Sequence, residues 1–282
     1  MAIKLTRLRV LYAFVTAASC LLAFGAQANA DGGTTTPPRA VPLARALPKT
    51  FSSYDALLAT ASAVANDQST LYAQLVATQS ERDLATSLLA TVADPRVRGG
   101  FVHAETNVSD EPAMVALRAQ VAATQATVAQ LVASGATATA PSPTWKLPLA
   151  GEVSQPFGPT FLSLEPTRLY QGTYYAHFHD GVDILAAAGT PIVAPARARV
   201  VFVGRMVDGA EVVVLAHDDG LVSLYAHLQD GPLAPTIKAG DIVQAGDRIG
   251  AVGLTGMTTG YHLHWAVYQN GVPIDPMGTL GR

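Results

Sequence analysis

The sequence predicts an α+β chain in which a helical hairpin or short coiled coil precedes a C-terminal all-β domain. Apolar residues at heptad spacing mark the helical part, which lies within residues 51–134. From Leu147 onwards, short β-rich runs alternate with Gly, Asp and Pro turns, a pattern typical of a compact all-β domain. Segments rich in Pro and Thr separate these parts.

The first thirty residues have the features of a secretory signal peptide. Three basic residues precede a mostly apolar run over residues 11–25, and Ala28-Asn29-Ala30 fits the small-residue cleavage pattern. We therefore expect a product secreted to the cell wall or the periplasm, without a stable membrane span. A retained anchor is the alternative, but the apolar run is shorter than the ~20 residues that a span needs.

Two linkers flank the helical part. Residues 31–50 carry four prolines together with Thr and Gly, and residues 135–146 combine Gly, Ala, Thr and two prolines. Such compositions predict extended or disordered linkers. The expected organisation is therefore a signal peptide over 1–30, linkers over 31–50 and 135–146, a helical part over 51–134 and a β domain over 147–282.

The helical part contains two amphipathic segments, separated by Asp94-Pro95 and Gly99-Gly100. Both segments place mainly apolar residues at heptad spacing, which predicts one continuous buried stripe on each helix. The positions are Leu57, Ala61, Val64, Gln68, Leu71, Leu75, Thr78, Arg82, Ala85, Leu89 and Val92 in the first segment, and Met114, Leu117, Val121, Thr124, Val128 and Leu131 in the second. The sequence leaves open whether this part is a spacer, an arm for self-association or a regulatory element.

The β domain shows four candidate strands and a clear hairpin signal. Gln269-Asn270-Gly271 favours a tight reversal. Ala-Gly-Asp occurs twice between Ile237 and Gly250, as expected for a repeated turn and strand. The predicted strands are Pro191–Val203, Glu211–Ala216, Val222–His227 and His262–Tyr268.

Composition excludes several classes of protein. The 282 residues carry a net charge of −3 and show no basic patch, so we expect no nucleic-acid partner. The single cysteine, Cys20, excludes a disulfide scaffold and any multi-cysteine metal site. Cys20 also raises the alternative of lipidation, but the residues before it lack the usual Leu, and cleavage after Ala30 would remove it.

Six of the seven histidines lie within residues 177–264. In a strand, His262 and His264 would project to one face, because residues two apart share a face. In the segment His179-Asp180-Gly181-Val182-Asp183, an extended backbone would likewise align His179 with Asp183, with no side chain between them at Gly181. Two imidazoles and a carboxylate would suit Zn²⁺ and leave a fourth coordination place for water.

The β domain resembles the lysostaphin-type (LytM-like) zinc metalloendopeptidases, which cut the peptide part of peptidoglycan. The resemblance spans residues 147–276 and depends on six segments in a fixed order. These are Gln155-Pro156-Phe157-Gly158, His179-Asp180-Gly181-Val182-Asp183-Ile184, Gly189-Thr190-Pro191-Ile192-Val193-Ala194, Tyr225-Ala226-His227-Leu228, Gly240–Gly250 and Gly260-Tyr261-His262-Leu263-His264-Trp265.

This resemblance implies one zinc ion per domain, bound by His179, Asp183 and His264. It implies His227 and His262 as the catalytic pair, without assigning which of them is the base. The implied substrates are the stem or cross-bridge peptides of peptidoglycan. The implied fold has twisted antiparallel sheets of the duplicated-hybrid or barrel-sandwich type, with the site in a groove across them.

Two departures from the family pattern bear on specificity. Pro159 stands where many relatives have Arg and is followed by a longer segment, Thr160–Ala176; Tyr261 stands where many have Pro. Neither departure removes a metal ligand, so we expect altered groove walls around an intact site. The helical part lies outside the resemblance.

Two other functions compete with peptide hydrolysis. A catalytically silent member of this fold would use its groove to regulate another cell-wall hydrolase, although such members usually lack some of the five site residues. The repeat between Gly240 and Gly250 also occurs in lipoyl or biotin carriers, which need a modifiable Lys at a hairpin tip. Lys238 precedes the turn, and this argues against a carrier.

Overall fold

The computed structural model describes residues 47–93, 112–136 and 144–281. The predicted signal peptide, most of both linkers and the turn between the two helical segments lie outside these residues. Among the residues described, none of the helices is both long enough and apolar enough to cross a membrane.

Two long helices form the N-terminal part: α1 (Tyr54–Ala93) and α2 (Pro112–Ala133). At the start of α1 the Ser53 hydroxyl accepts a hydrogen bond from the Ala56 amide at 3.2 Å, which satisfies one free helix donor. The two helices pack together through a small apolar cluster formed by Leu71, Leu75, Val128, Leu131 and Ala136. The predicted helical hairpin is therefore confirmed.

The C-terminal part is built of fourteen short strands within the described residues. They are β1 (Val153–Gln155), β2 (Gly158–Pro159), β3 (Arg168–Tyr170), β4 (Thr173–Tyr175), β5 (Phe178–His179), β6 (Gly181–Leu185), β7 (Pro191–Val193), β8 (Ala198–Arg205), β9 (Glu211–His217), β10 (Leu221–Ala226), β11 (Ile242–Val243), β12 (Arg248–Ala251), β13 (His262–Gln269) and β14 (Val272–Ile274). A short 3₁₀ turn at Gly231–Leu233 lies between β10 and β11, and another at Pro276–Thr279 follows β14.

The main sheet has the order β1-β6-β13-β10-β9-β8-β11, and β14 also pairs with β13. All of these pairs are antiparallel, which confirms the predicted antiparallel β domain. Three two-stranded sheets, β2–β5, β3–β4 and β7–β12, surround it. The β13–β14 hairpin turns at Asn270 and Gly271 with φ angles of 51° and 79°, as the Asn-Gly signal predicted.

The prediction of one strand over Pro191–Val203 is wrong. Residues 194–197 are irregular and separate β7 from β8, and these strands belong to different sheets. Pro195 has no backbone N–H to donate to a sheet ladder, and it lies where the chain passes from one sheet to the other.

The two faces of the main sheet are covered by different partners. Along β13, Leu263, Trp265 and Val267 point into the core of the β domain, whereas Ala266 and Tyr268 point to the opposite face. The first half of α1 covers that opposite face. Its contributing residues are Leu57, Leu58, Ala61, Val64 and Ala65, which pack against Val201, Phe202, Met206, Val212, Val214, Val222 and Leu224 of the sheet and its loops.

The heptad pattern identified the buried side of α1 but not its partner. Leu57, Ala61 and Val64 are buried as predicted, yet their partner is the sheet rather than α2. A polar contact extends this junction, since the Gln68 side-chain amide donates to the Ala216 carbonyl at 3.1 Å and to Asp218 at 3.0 Å. The expected domain boundaries stay predictions, but α1 and the sheet share one apolar core.

The residues that enter the β domain are held by a buried histidine. Trp145 lies against the ring of His217 with 4.2 Å between ring centroids. His217 donates from Nδ1 to the Arg197 carbonyl at 3.1 Å and accepts at Nε2 from the Ser223 hydroxyl at 2.7 Å. Burial lowers the pKa of His217 to about 4, so the imidazole is neutral in the folded protein at neutral pH.

We expect Leu57→Ala to lower the free energy of unfolding by about 2–5 kcal/mol, because it opens a cavity between α1 and the sheet. Leu57 is completely buried. Leu84→Ala is the matched control, since Leu84 lies on the same helix and is 59% exposed. Urea denaturation measures both; equal losses would contradict the packing of α1 on the sheet.

We expect the protein to lose stability as the pH falls from 6.5 towards 4. In this window His217 stays neutral when folded but becomes protonated when unfolded, so the unfolded state binds more protons. The loss from this residue amounts to about 3 kcal/mol. Urea denaturation across this range measures it, and His217→Gln should flatten the pH dependence; an unchanged slope in that variant would refute the assignment.

Candidate metal centre and groove

His179, Asp183 and His264 converge on one point although they come from three strands. Nε2 of His179 lies 3.0 Å from Nδ1 of His264 and 3.2 Å from Oδ1 of Asp183. The third side of this triangle, from Nδ1 of His264 to Oδ1 of Asp183, is 3.1 Å. Tetrahedral zinc with bonds of about 2.0–2.1 Å separates its ligand atoms by about 3.3 Å, so this triangle fits one face of such a site. The three residues could hold a metal ion.

Strand pairing produces this convergence. β6 and β13 are antiparallel, and their register places Asp183 directly opposite His264. His179 ends β5, and a single residue separates it from the start of β6, so its side chain reaches the same side of the sheet edge. Residues 81 positions apart in the sequence are thereby brought into direct contact.

Each histidine of the triangle is held by a second contact through its other ring nitrogen. His179 donates from Nδ1 to the Pro156 carbonyl at 3.1 Å, which leaves the Nε2 lone pair directed into the triangle. His264 is oriented the other way: its Nδ1 lies in the triangle and its Nε2 lies 3.6 Å from Oδ1 of Asp180. Outer contacts of this kind fix the tautomer and the ring orientation of a metal ligand.

The carboxylate of the triangle is held in its ionised form. Burial would raise the pKa of Asp183, but hydrogen bonds from His179 and His264 outweigh it and hold that pKa far below its usual range. Burial would likewise lower the pKa of His264, but hydrogen bonds and charges of Asp180 and Asp183 raise it to about 10. Without a metal ion, the cluster therefore keeps a proton on His264, and a bound dication would replace that proton.

His227 and His262 lie beside the triangle on the same face of the sheet. Their ring centroids are 4.9 Å apart, and the ring of His227 is 6.2 Å from that of His264. His262 places Nε2 at 3.6 Å from Oδ1 of Asp183. The structure therefore brings all five predicted site residues together.

Backbone carbonyls orient both of these histidines. His227 donates from Nδ1 to the Thr255 carbonyl at 2.8 Å, and His262 donates from Nδ1 to the Gly260 carbonyl at 2.9 Å. In both rings this leaves the Nε2 lone pair free to accept a proton. Burial is the main reason that the pKa of His227 falls to about 4, so His227 is neutral at neutral pH.

A groove of about 320 Å³ opens above these side chains. Its floor is the sheet, and its walls come from three segments. One wall is Leu162–Arg168, within the longer segment that the sequence singled out, and another is Met257–Thr259. The third wall is the first turn of α1, where Tyr54, Asp55 and Leu58 line the groove.

Sequence reasoning missed two groups of side chains at the groove. Tyr54 donates its hydroxyl hydrogen to Asp208 at 3.2 Å, so the start of α1 is tied to the loop after β8. Asp180 accepts hydrogen bonds from Arg168 and Tyr268. In the sequence, the only signal for Asp180 is its position between His179 and Gly181. Arg168 and Tyr268, which donate to it, are distant in the sequence.

Gly181 is required by the close approach of two strands. A Cβ atom at this position would lie 2.6 Å from the Trp265 carbonyl oxygen and 2.9 Å from Cε1 of His264. The sequence argument gave a different reason, namely the space between His179 and Asp183. The closest obstacles are in fact the β13 backbone and the ring of His264.

Comparisons with known proteins agree with this site. Residues 177–276 match the family model described as Peptidase family M23. The DD-carboxypeptidase/endopeptidase Mpg of Neisseria meningitidis is 34% identical over 125 residues, 44% of this chain and 26% of that protein. The murein hydrolase activator NlpD of Salmonella typhimurium is 29% identical over 173 residues, 61% of this chain and 41% of that protein. The chain thus spans less than half the length of these curated relatives.

Among solved structures, the catalytic domain of lysostaphin from Staphylococcus simulans is 30% identical and aligns with a TM-score of 0.38. That alignment covers 45% of this chain and 90% of the lysostaphin domain. The match to Peptidase family M23, the family of the lysostaphin-type peptidases, thus covers residues 177–276, within the C-terminal domain.

We expect Gly181→Ala to weaken divalent metal binding, because the added methyl group must displace the His264 ring or the β13 backbone. Gly278→Ala is the matched control, since a Cβ atom there meets no atom within 4 Å. Equilibrium titration with Zn²⁺ measures both variants. Wild-type affinity in Gly181→Ala would show that the strands are less closely constrained than the structure indicates.

Proposed function

We propose that this protein is a zinc metalloendopeptidase that hydrolyses peptide bonds of peptidoglycan outside the cytoplasm. The observation that carries the proposal is the His179, Asp183 and His264 triangle, with edges of 3.0–3.2 Å, beside two carbonyl-oriented histidines. The names of the relatives support the substrate class, since Mpg is named as a DD-carboxypeptidase/endopeptidase.

Zinc is the metal that suits this donor set best. Two imidazole nitrogens and one carboxylate oxygen match the ligands that zinc takes in catalytic sites, where three protein groups leave one position for water. The side chains of His179 and Asp183 are buried, and His264 is half-buried where it lines the groove. Zinc, when bound there, lowers the pKa of water to roughly 7 and polarises the carbonyl to be attacked.

His227 and His262 supply proton transfer in this proposal. Each holds its Nδ1 hydrogen on a backbone carbonyl and keeps Nε2 available, so each ring accepts or donates a proton at Nε2 only. One ring would accept a proton from the attacking water at Nε2. The other would stabilise the carbonyl oxygen or protonate the leaving amine only after it had itself gained a proton at Nε2, since its Nδ1 hydrogen is held by a carbonyl. Proton transfer by positioned side chains contributes about 10²–10⁴-fold to rate.

The groove suits an extended peptide more than a folded partner. It crosses the sheet, and its rim carries apolar side chains from Leu162, Leu164 and Met257. Because the start of α1 forms one wall, the helical part contributes to the peptide-binding surface. An extracytoplasmic location follows from the substrate and agrees with the basic and apolar N-terminus.

A second candidate is a regulator of another cell-wall hydrolase. The observation that favours it is the match to NlpD, which is named as a murein hydrolase activator and which aligns with 61% of this chain. The presence of all five site residues in one cluster favours an enzyme. Digestion of cross-linked peptidoglycan by the purified protein alone separates the two candidates.

We expect His262→Ala to retain zinc but to lose about 10²–10⁴-fold in turnover of cross-linked peptidoglycan. His264→Ala should lose both zinc and turnover, because it removes a vertex of the triangle. Metal analysis of the purified proteins and mass spectrometry of fragments released from defined muropeptides provide the two readouts. The fragments also identify the bond that is cut.

His264→Ala serves as the control for His262→Ala, since both substitutions remove an imidazole from the same strand. Parental turnover in His262→Ala would refute its catalytic role. Absence of both zinc and turnover in the parent protein would refute the proposed function as a whole.

A further inference from the structure

Asp180 is a half-buried carboxylate whose two oxygens make different contacts. Its Oδ2 accepts a hydrogen bond from Nη2 of Arg168 at 2.7 Å and another from the Tyr268 hydroxyl at 2.8 Å. Its Oδ1 lies 3.6 Å from Nε2 of His264. Two donors from different strands therefore fix the carboxylate, and its remaining oxygen faces the histidine of the metal triangle.

The charge of Asp180 is secured by these contacts. The Arg168 guanidinium and the Tyr268 hydroxyl both donate to Oδ2, and these two donors stabilise the ionised carboxylate. An ionised carboxylate facing Nε2 favours the tautomer with hydrogen on Nε2. That tautomer leaves the lone pair on Nδ1, the nitrogen that lies in the triangle.

We propose that Asp180 is a positioning residue of the metal centre, which fixes the tautomer and the ring orientation of His264 and raises the basicity of its Nδ1. The inference rests on the proposed function only in requiring that the triangle binds zinc. Carboxylates behind a metal-bound histidine act in this way, and their loss typically costs 10–100-fold in metal affinity.

Arg168 connects this carboxylate to the groove wall. It is the first residue of β3, in the segment Thr160–Ala176 that supplies one groove wall, and its side chain donates to Asp180. The β3–β4 hairpin therefore contacts the same carboxylate that lies against His264. Through Arg168, the segment Thr160–Ala176 therefore contacts both the groove and the carboxylate beside the metal triangle.

The group that contacts His264 from outside the triangle is a side chain, Asp180, whereas the group that contacts His179 is a backbone carbonyl. His179 is oriented by the Pro156 carbonyl, a backbone group that substitution leaves in place. Asp180 is a side chain and can be replaced without touching a residue of the triangle. This makes the outer contact of His264 accessible to a direct experiment.

The test is zinc affinity in Asp180→Asn, measured by competition with a chromophoric chelator in the full chain. We expect affinity 10–100-fold weaker than in the parent protein. Asp208→Asn is the matched control, because Asp208 lines the same groove but binds Tyr54 rather than a residue of the triangle. It removes the same charge and should leave zinc affinity unchanged.

A second readout is the visible absorption of the Co²⁺-loaded protein, which responds to the donor strength and geometry of the ligands. Asp180→Asn should shift these bands, whereas Asp208→Asn should not. Should Asp180→Asn fail to fold, Tyr268→Phe decides instead, since it removes one hydrogen bond to Asp180 and keeps the aromatic ring. It should weaken zinc binding in the same direction and by less.

The outcomes separate the two proposals. A parent protein that does not bind zinc would refute the proposed function. A parent that binds zinc, with unchanged affinity and cobalt spectra in Asp180→Asn, would overturn the role of Asp180 alone. Equal weakening by Asp208→Asn would also overturn it, because the effect would then come from general charge rather than from orientation of His264.

Discussion

The antiparallel register of β6 against β13 is the constraint on which the site depends. It places Asp183 opposite His264 and allows Nδ1 of His264 to lie 3.1 Å from the carboxylate. A shift by one residue would send every side chain of β13 to the other face of the sheet, and both His262 and His264 would then enter the core. Gly181 permits the close approach of the two strands, since a Cβ atom there would collide with the Trp265 carbonyl.

The alternation of side chains along β13 also explains why α1 packs on the sheet. The face of β13 that presents the histidines also presents Ala266 and Tyr268, and the first half of α1 covers this face. The groove occupies only part of this sheet face, and α1 covers the apolar remainder up to the edge of the groove. The helix therefore both completes a core and supplies a groove wall at Tyr54.

The clustering of the five candidate site residues could be predicted because the family motifs keep them within short segments. The heptad spacing likewise predicted the buried side of α1. The partner of that side could not be predicted, since an apolar stripe does not specify what covers it. Asp180 was missed because Arg168 and Tyr268, which hold it, lie 12 and 88 residues away. The strand predicted over Pro191–Val203 was wrong because continuous β propensity conceals a change of sheet at Pro195.

The charges of the site explain how the neutral ring of His227 could stand beside a bound dication. Asp180 and Asp183 are both held ionised, so a dication among these residues would be balanced by two carboxylates. Burial already keeps His227 neutral, and a nearby dication would disfavour its protonation further. Nε2 of His227 could then accept a proton released from water, because the Thr255 carbonyl holds the hydrogen on Nδ1. The two carboxylates would thus set the net charge of a metal-loaded site, and the Thr255 carbonyl would direct proton transfer to Nε2 of His227.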